Sequence, residues 1–187
     1  MPTILDAGTV QLSNADVLQW VRAKREQHRR EDAADEAAGR PKTKRPSKFM
    51  NSLRKHEREL TDKKYAYAAN PGAYEGTQRG KAIKLFIERC DEAICYPLES
   101  QYSSKGISMK QLKATLGKVY EKKTFTTSEL MMIQNLAPEN VSMLEMVVEG
   151  WEHRFSVDEM EKILQVINEV FRCGDKLPEL EADAKVS

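Results

Sequence analysis

"SELMMIQNLAPENVSMLEMVVEG", residues 128–150, sets four of the chain's eight methionines into two short apolar stretches that meet at Leu136-Ala137-Pro138. Leu130, Ile133 and Leu136 share one helical face in the first stretch. Val141, Leu144, Val147 and Val148 do so in the second, with Pro138 where the first turn of a new helix tolerates it. Neither stretch is long enough to persist alone as a helix in water, so each must be stabilised by neighbours. Met132 and Met143 lie at the edges of these inward arcs. Met131 and Met146 point off them, which implies a second contact surface.

The neighbours are marked by capping boxes, in which Ser or Thr is followed three residues later by Glu or Gln: Ser108/Gln111, Thr126/Glu129 and Ser156/Glu159. Each precedes an apolar face. Met109, Leu112, Leu116, Val119 and Tyr120 form the first, and Met160, Ile163, Ile167, Val170 and Phe171 belong to the last. A bundle of four short helices is therefore expected over 108–172, in a C-terminal domain of 108–174, with a flexible acidic tail at 175–187. Met109, Met132 and Met160 are read as core fillers.

Upstream, 1–28 reads as an extended piece and a helix. Val10 and Leu12 lie on one side of the extended piece, and no other segment reads as a strand to pair with it, so its backbone donors and acceptors are expected to need an outside partner or water. Ser13 caps the helix, with Asp16 three residues on, and Val17, Trp20 and Val21 form its face. Residues 29–48 are charged, carry two prolines and lack large apolar side chains, which predicts a disordered linker. Residues 49–80 read as an inserted charged helix with a narrow stripe of Phe49, Leu53, His56, Leu60 and Tyr67, then a turn. Residues 81–96 form a helix docking with the N-terminal part. Its apolar face, including Ile83, Phe86 and Ile87, is wide enough for two neighbours. Residues 97–107 are a linker.

The net charge of +1 favours neither nucleic acid nor membrane as a partner. Residues 1–107 carry 20 Lys+Arg against 15 Asp+Glu, while 108–172 carry 8 against 10. Any basic partner surface thus belongs to the first half, and "RPKTKRPSK" at 40–48 is its densest run. The three cysteines match neither a disulfide framework nor a zinc pattern, and Cys90 and Cys95, five apart on a helix, are expected to point in different directions. No apolar run suits a membrane span, and no signal peptide is read at the N-terminus. The three histidines have no cysteine or carboxylate pair at ligand or triad spacing, and no phosphate loop is present, so no catalytic, cofactor or metal site is expected.

Read together, the two ends resemble a known family. Leu12, Ser13, Asn14, Val17 and Leu18 match the Leu-Ser-(Asn/Asp) helix start of the small stalk subunit of eukaryotic RNA polymerase III, the seventeen-kilodalton or calcitonin-receptor component protein family. Lys122, Lys123, Glu129, Leu130, Ile133, Asn135 and Pro138 match its C-terminal domain, as do Val148, Glu149, Arg154, Phe155, Glu161, Ile163, Leu164 and Ile167. Related families are the small stalk subunits of RNA polymerase II and of the archaeal enzyme.

The resemblance implies a mostly α fold whose C-terminal bundle is like that of RecQ helicases and RNase D. It also implies a nuclear, non-catalytic subunit with no cofactor. That subunit pairs with the larger oligonucleotide-binding-fold stalk subunit, sits on the polymerase core and supports initiation through contacts with initiation factors. Nucleic acid is met only weakly or indirectly, and no membrane is involved. Candidate partner-binding residues are Val10, Leu12, Val17, Trp20, Val21, Ile83, Phe86, Ile87, Met131 and Met146. Alternatives are the RNA polymerase II subunit, a nucleic-acid-binding helical module and a generic helical adaptor.

Overall fold

The computed structural model describes residues 12–74, 76–103 and 109–173. Among them the regular structure is helical, with no strand. The strand expected at 9–12 lies outside the described residues except for Leu12, and so does Val10. The chain divides into two compact units, Met1–Lys63 and Lys64–Ser187.

The first unit is a helix hairpin of α1 (Asn14–Ala37) and α2 (Ser47–Leu60). Ser13 caps α1 reciprocally with Asp16: the Asp16 N–H donates to Ser13 Oγ at 3.2 Å, and Ser13 N–H donates to Asp16 Oδ2 at 2.9 Å. The helix does not stop at 28. "EDAADEAA" is rich in strong helix formers, which carry the helix through to Ala37 without an apolar face. The following loop is held by charge. Arg45 forks onto Asp32 at 2.6 Å and Glu31 at 2.8 Å and donates to the His28 carbonyl, while Thr43 binds Asp35. The segment expected to be a disordered linker is therefore half helix and half pinned loop. Hydrophobic burial was the wrong criterion for a stretch whose carboxylates and cations pair with one another. Arg45 against Asp32 and Arg25 against Glu57 show that α2 runs back antiparallel along α1. Val21 and Leu53 are buried.

The expected insertion 49–80 is split between the units. The stripe ends at Leu60, and Tyr67 belongs to the second unit, where α3 (Ala66–Ala69) and a 3₁₀ turn at Pro71–Ala73 bury Ala66, Tyr67, Ala73 and Tyr74. Tyr74 donates to the Gln134 carbonyl at 3.0 Å. Next comes α4 (Gly76–Cys90), which runs through a π-helical turn at Asp91–Cys95 into α5 (Tyr96–Ser103), so helix continues into the expected linker 97–107. The C-terminal elements are α6 (Met109–Lys123), α7 (Thr127–Leu136), α8 (Val141–Glu145) and α9 (Val157–Ile167), the last closed by a π turn at Asn168–Arg172. The first capping box rests on Ser108, outside the described residues.

The core of this unit claims one residue of the face expected to dock at 81–96. Phe86 is fully buried, with its ring 5.5 Å from Phe125 and 5.7 Å from Phe171. Part of the wide face of α4 is thus covered by α9 and the closing π turn of the same chain, while Ile83 is half-buried and Ile87 exposed. A period of 3.6 reveals such a face but not its partner. Phe86→Leu is expected to cost about 1–2 kcal/mol of stability by leaving a partial cavity. It should leave affinity for a partner unchanged, and urea melts alongside binding titrations check both.

The 136–138 hinge is a left-handed residue, Ala137 at φ 39°, whose N–H donates to the Ile133 carbonyl at 2.7 Å. Arg172 closes this helix end by donating to the Ala137 carbonyl at 2.7 Å. The next helix starts later than Pro138 implies, because Asn140 caps it by accepting from Met143 N–H at 3.0 Å. It ends at Glu145, so Val147 and Val148 are buried from a turn rather than from a helix.

Candidate functional site

The polar centre of the second unit is built from the capping boxes of α7 and α9. In each box the Glu three residues after the cap accepts the cap residue's own N–H: Thr126 N–H to Glu129 at 2.7 Å and Ser156 N–H to Glu159 at 2.8 Å. Ordinarily such a glutamate faces water. Here each takes a second, cationic partner. Arg154 grips both Glu129 oxygens, and its remaining donors reach the carbonyls of Lys122, Glu149 and Thr124, each at 2.9 Å. Lys123 binds both Glu159 oxygens at 2.6 and 2.7 Å and the Arg154 carbonyl at 3.0 Å. Phe155, stacked on Phe125 at 5.5 Å, lies beneath both cations.

Only 5% of Glu129 is exposed. Burial acts to raise its carboxyl, but Arg154 and the N–H groups of Thr126 and Glu149 outweigh burial and hold it below its ordinary value of 4.5. The cluster ties the end of α6, the starts of α7 and α9, and the 149–155 turn into one rigid piece. Its chemistry is structural, since every strong donor is already satisfied by a fixed acceptor.

The candidate contact residues separate by exposure. Leu12 (62%), Trp20 (54%), Ile87 (37%) and Met146 (80%) are exposed. Val17, Ile83 and Met131 are half-buried, whereas Val21 and Phe86 are buried. The α7 methionines reverse their expected roles: Met132 is the more open at 44%, while Met131 is half-buried. Met160 fills the core, and the Met109 side chain lies outside the described residues.

A cavity of about 120 Å³ opens beside the π turn, lined chiefly by Ile87, Ile94, Phe125, Leu130 and both Cys90 and Cys95. An α-helix would point two residues five apart in different directions. With the wider π turn between them, both residues line the same cavity. Burial raises both thiols, that of Cys95 to about 11, so they stay protonated near neutrality and act as packing groups. Among the described residues, no group of three or more His, Cys, Asp or Glu is placed to hold a metal, and no helix is long and apolar enough to cross a membrane.

Among the described residues, the fold and its polar centre define a helical protein whose charged cluster is structural. The family described as RNA polymerase Rpb4 matches residues 11–171, and the chain belongs to that family. It is accordingly a small stalk subunit of a DNA-directed RNA polymerase, non-catalytic, with a larger stalk subunit as the partner the family implies. No curated protein matches the chain.

Of the residues that carried the resemblance, Lys123, Glu129, Glu149, Arg154 and Phe155 meet in the polar cluster. Glu129 and Arg154 stand in the sequence as motif positions, with no sign that they pair. The available signal was a capping-box glutamate standing 25 residues ahead of an arginine flanked by aromatic residues in "WEHRF".

Proposed function

We propose that the chain is the small stalk subunit of RNA polymerase III, paired with the larger oligonucleotide-binding-fold stalk subunit, working in the nucleus and supporting initiation through protein contacts. The observation that carries this is the combination of "NLAPENV" at 135–141 with "VVEGWEHRF" at 147–155, following the Leu12-Ser13-Asn14 helix start. The exposed apolar residues divide naturally between two kinds of contact. Leu12 and Trp20, at the start of α1, suit the larger stalk subunit. Met146, exposed on its turn, suits the polymerase core or an initiation factor, because a thioether adapts to irregular partner surfaces.

Affinity purification from the native cell tests the assignment: RNA polymerase III subunits should copurify at equal stoichiometry. Recovery of RNA polymerase II subunits in their place would move the chain to that enzyme. Trp20→Ala should weaken the stalk pair by about 2 kcal/mol, some thirtyfold in Kd, as for a tryptophan at the centre of an interface. Unchanged affinity in a titration with the larger subunit would remove α1 from the interface.

A further inference from the structure

Packed proteins leave few voids larger than a water molecule, and the hollow beside the π turn, at about 120 Å³, is several times that size. Its walls are fixed in advance. Phe125 is held by Phe86 and Phe155, with each ring centroid 5.5 Å away. The π turn, closed where the Tyr96 N–H reaches five residues back to the Asp91 carbonyl, supplies Cys90, Ile94 and Cys95, all buried. Water reaches the remaining lining residues, since Ile87 and Asp91 are exposed and Leu130 is half-buried.

The charge at this mouth is unbalanced. Lys123 lines the hollow but is bound to both Glu159 oxygens at 2.6 and 2.7 Å. Lys162 reaches the π turn, yet it donates to the Ala93 carbonyl at 3.3 Å, an acceptor that Pro97, having no N–H, cannot serve. Arg89 pairs with Glu92, and Lys84 with Glu88. Among the described residues no cation pairs with Asp91, whose carboxylate takes only a weak bond from the Cys95 thiol at 3.7 Å.

Size and charge together select an occupant. Pockets for cofactors and drug-sized ligands run to roughly 300–1,000 Å³. An apolar cavity of about 150 Å³ takes up a molecule the size of benzene. The hollow therefore has room for one small apolar group. A free hydrocarbon would gain nothing from Asp91, and a phosphate-bearing ligand would be repelled by it. An apolar side chain on a peptide that also carries Lys or Arg gains from both features.

We propose that the hollow beside the π turn is a docking pocket for a protein partner, taking one leucine-sized side chain from a segment whose adjacent Lys or Arg pairs with Asp91. An anchor seated in a preformed pocket carries much of the energy of an interface. Neither the hollow nor its charge depends on which polymerase the chain serves.

The test uses the full chain with carbon-13 in its isoleucine and leucine methyl groups, followed by NMR during titration with N-acetyl-Leu-Arg amide at low salt. The methyls of Ile87, Ile94 and Leu130 should shift saturably, with a Kd on the order of millimolar for a single anchor. N-acetyl-Leu-Glu amide, which replaces attraction by repulsion, should bind about fivefold more weakly. N-acetyl-Ala-Arg amide, which lacks the anchor, should give no saturable shift at these methyls. Cys95→Met places a flexible thioether in the hollow and should weaken the Leu-Arg peptide at least about tenfold. Cys95→Ala enlarges the hollow and should bind within about threefold of the wild type. Urea melts identify the folded variants, and Leu130→Phe, which fills the mouth from α7, replaces Cys95→Met should that chain fail to fold. Asp91→Asn should remove the preference for the Arg peptide over the Glu peptide.

The pocket is overturned by an absence of saturable shifts with the Leu-Arg peptide, by undiminished binding to the filled variant, or by equal affinity for the Arg and Glu peptides. Benzene shifting the same methyls where the Leu-Arg peptide does not would also overturn it, by showing a packing void closed to partners.

Discussion

Arg154→Ala will destabilise the second unit by about 3–5 kcal/mol at neutral pH, the range for removing one partner of a buried ion pair. The substitution leaves Glu129, 5% exposed, without its cation and frees the carbonyls of Lys122, Thr124 and Glu149 from their shared donor. The pH dependence distinguishes this from a simple packing loss. In the wild type the Glu129 carboxyl lies below 4.5, so the stability it contributes is complete above that value and is lost as pH falls through the folded value. Without Arg154 the chief opponent of burial is gone, and the orphaned carboxylate favours protonation. The deficit of Arg154→Ala should therefore be largest near pH 7 and shrink towards pH 4. Urea melts at the two pH values measure it, and Glu129→Gln in the Arg154→Ala background should recover part of the neutral-pH loss. A cost below about 1 kcal/mol, or one independent of pH, would show that the cluster is solvated and contributes little.

Arg154→Lys should restore only a fraction. A lysine ammonium supplies charge without a planar fork, and the site uses that fork to reach two carboxylate oxygens and three carbonyls together. Lys123, which serves Glu159 and one carbonyl from a single nitrogen, shows what a lysine suffices for.

The helices of the second unit were legible because periodicity and caps are local. Thr126/Glu129 and Ser156/Glu159 form the reciprocal boxes that their spacing predicts, and Ile133, Leu144, Met160 and Ile163 are fully buried as their arcs require. What failed depends on long-range pairing. The α4 face was visible, but its cover, Phe171 from the far end of the chain, was not. The 29–48 segment looked disordered because its order comes from Arg45 meeting Glu31 and Asp32, pairs more than a dozen residues apart. The π turn at Asp91–Cys95 has no compositional mark, so helix geometry points the two thiols in different directions and does not show that both residues line one cavity. The candidate surface residues meet the same limit: Val21 and Phe86 lie on apolar faces that periodicity reveals, yet both are buried, because exposure is set by the whole fold.

Leu144→Asp and Met146→Asp, two residues apart in the same apolar stretch, should give opposite results. Leu144 is completely buried on α8, and Val147 and Val148 of the same stretch are buried as well. A carboxylate there has no partner and no water, a burden that exceeds about 4–5 kcal/mol and removes most of the stability of an ordinary domain. The variant should show no cooperative thermal transition for the second unit. Leu144→Ala, which leaves a cavity but no charge, should fold with a loss of about 2–5 kcal/mol and so grade the effect. Met146 lies on the following turn and is 80% exposed, so an aspartate there keeps its hydration and should shift stability by no more than about 0.5 kcal/mol. Its effect should appear in assembly instead. If Met146 meets the polymerase core or an initiation factor, a charge in place of the thioether desolvates without a partner, and recovery of those proteins with the tagged chain should fall while the stalk pair stays intact. Equal thermal damage from both substitutions would put Met146 inside the fold. Normal recovery of the polymerase and its factors with Met146→Asp would leave the turn a solvated surface and send the search for the contact to Met132, the next most open methionine of the same stretch.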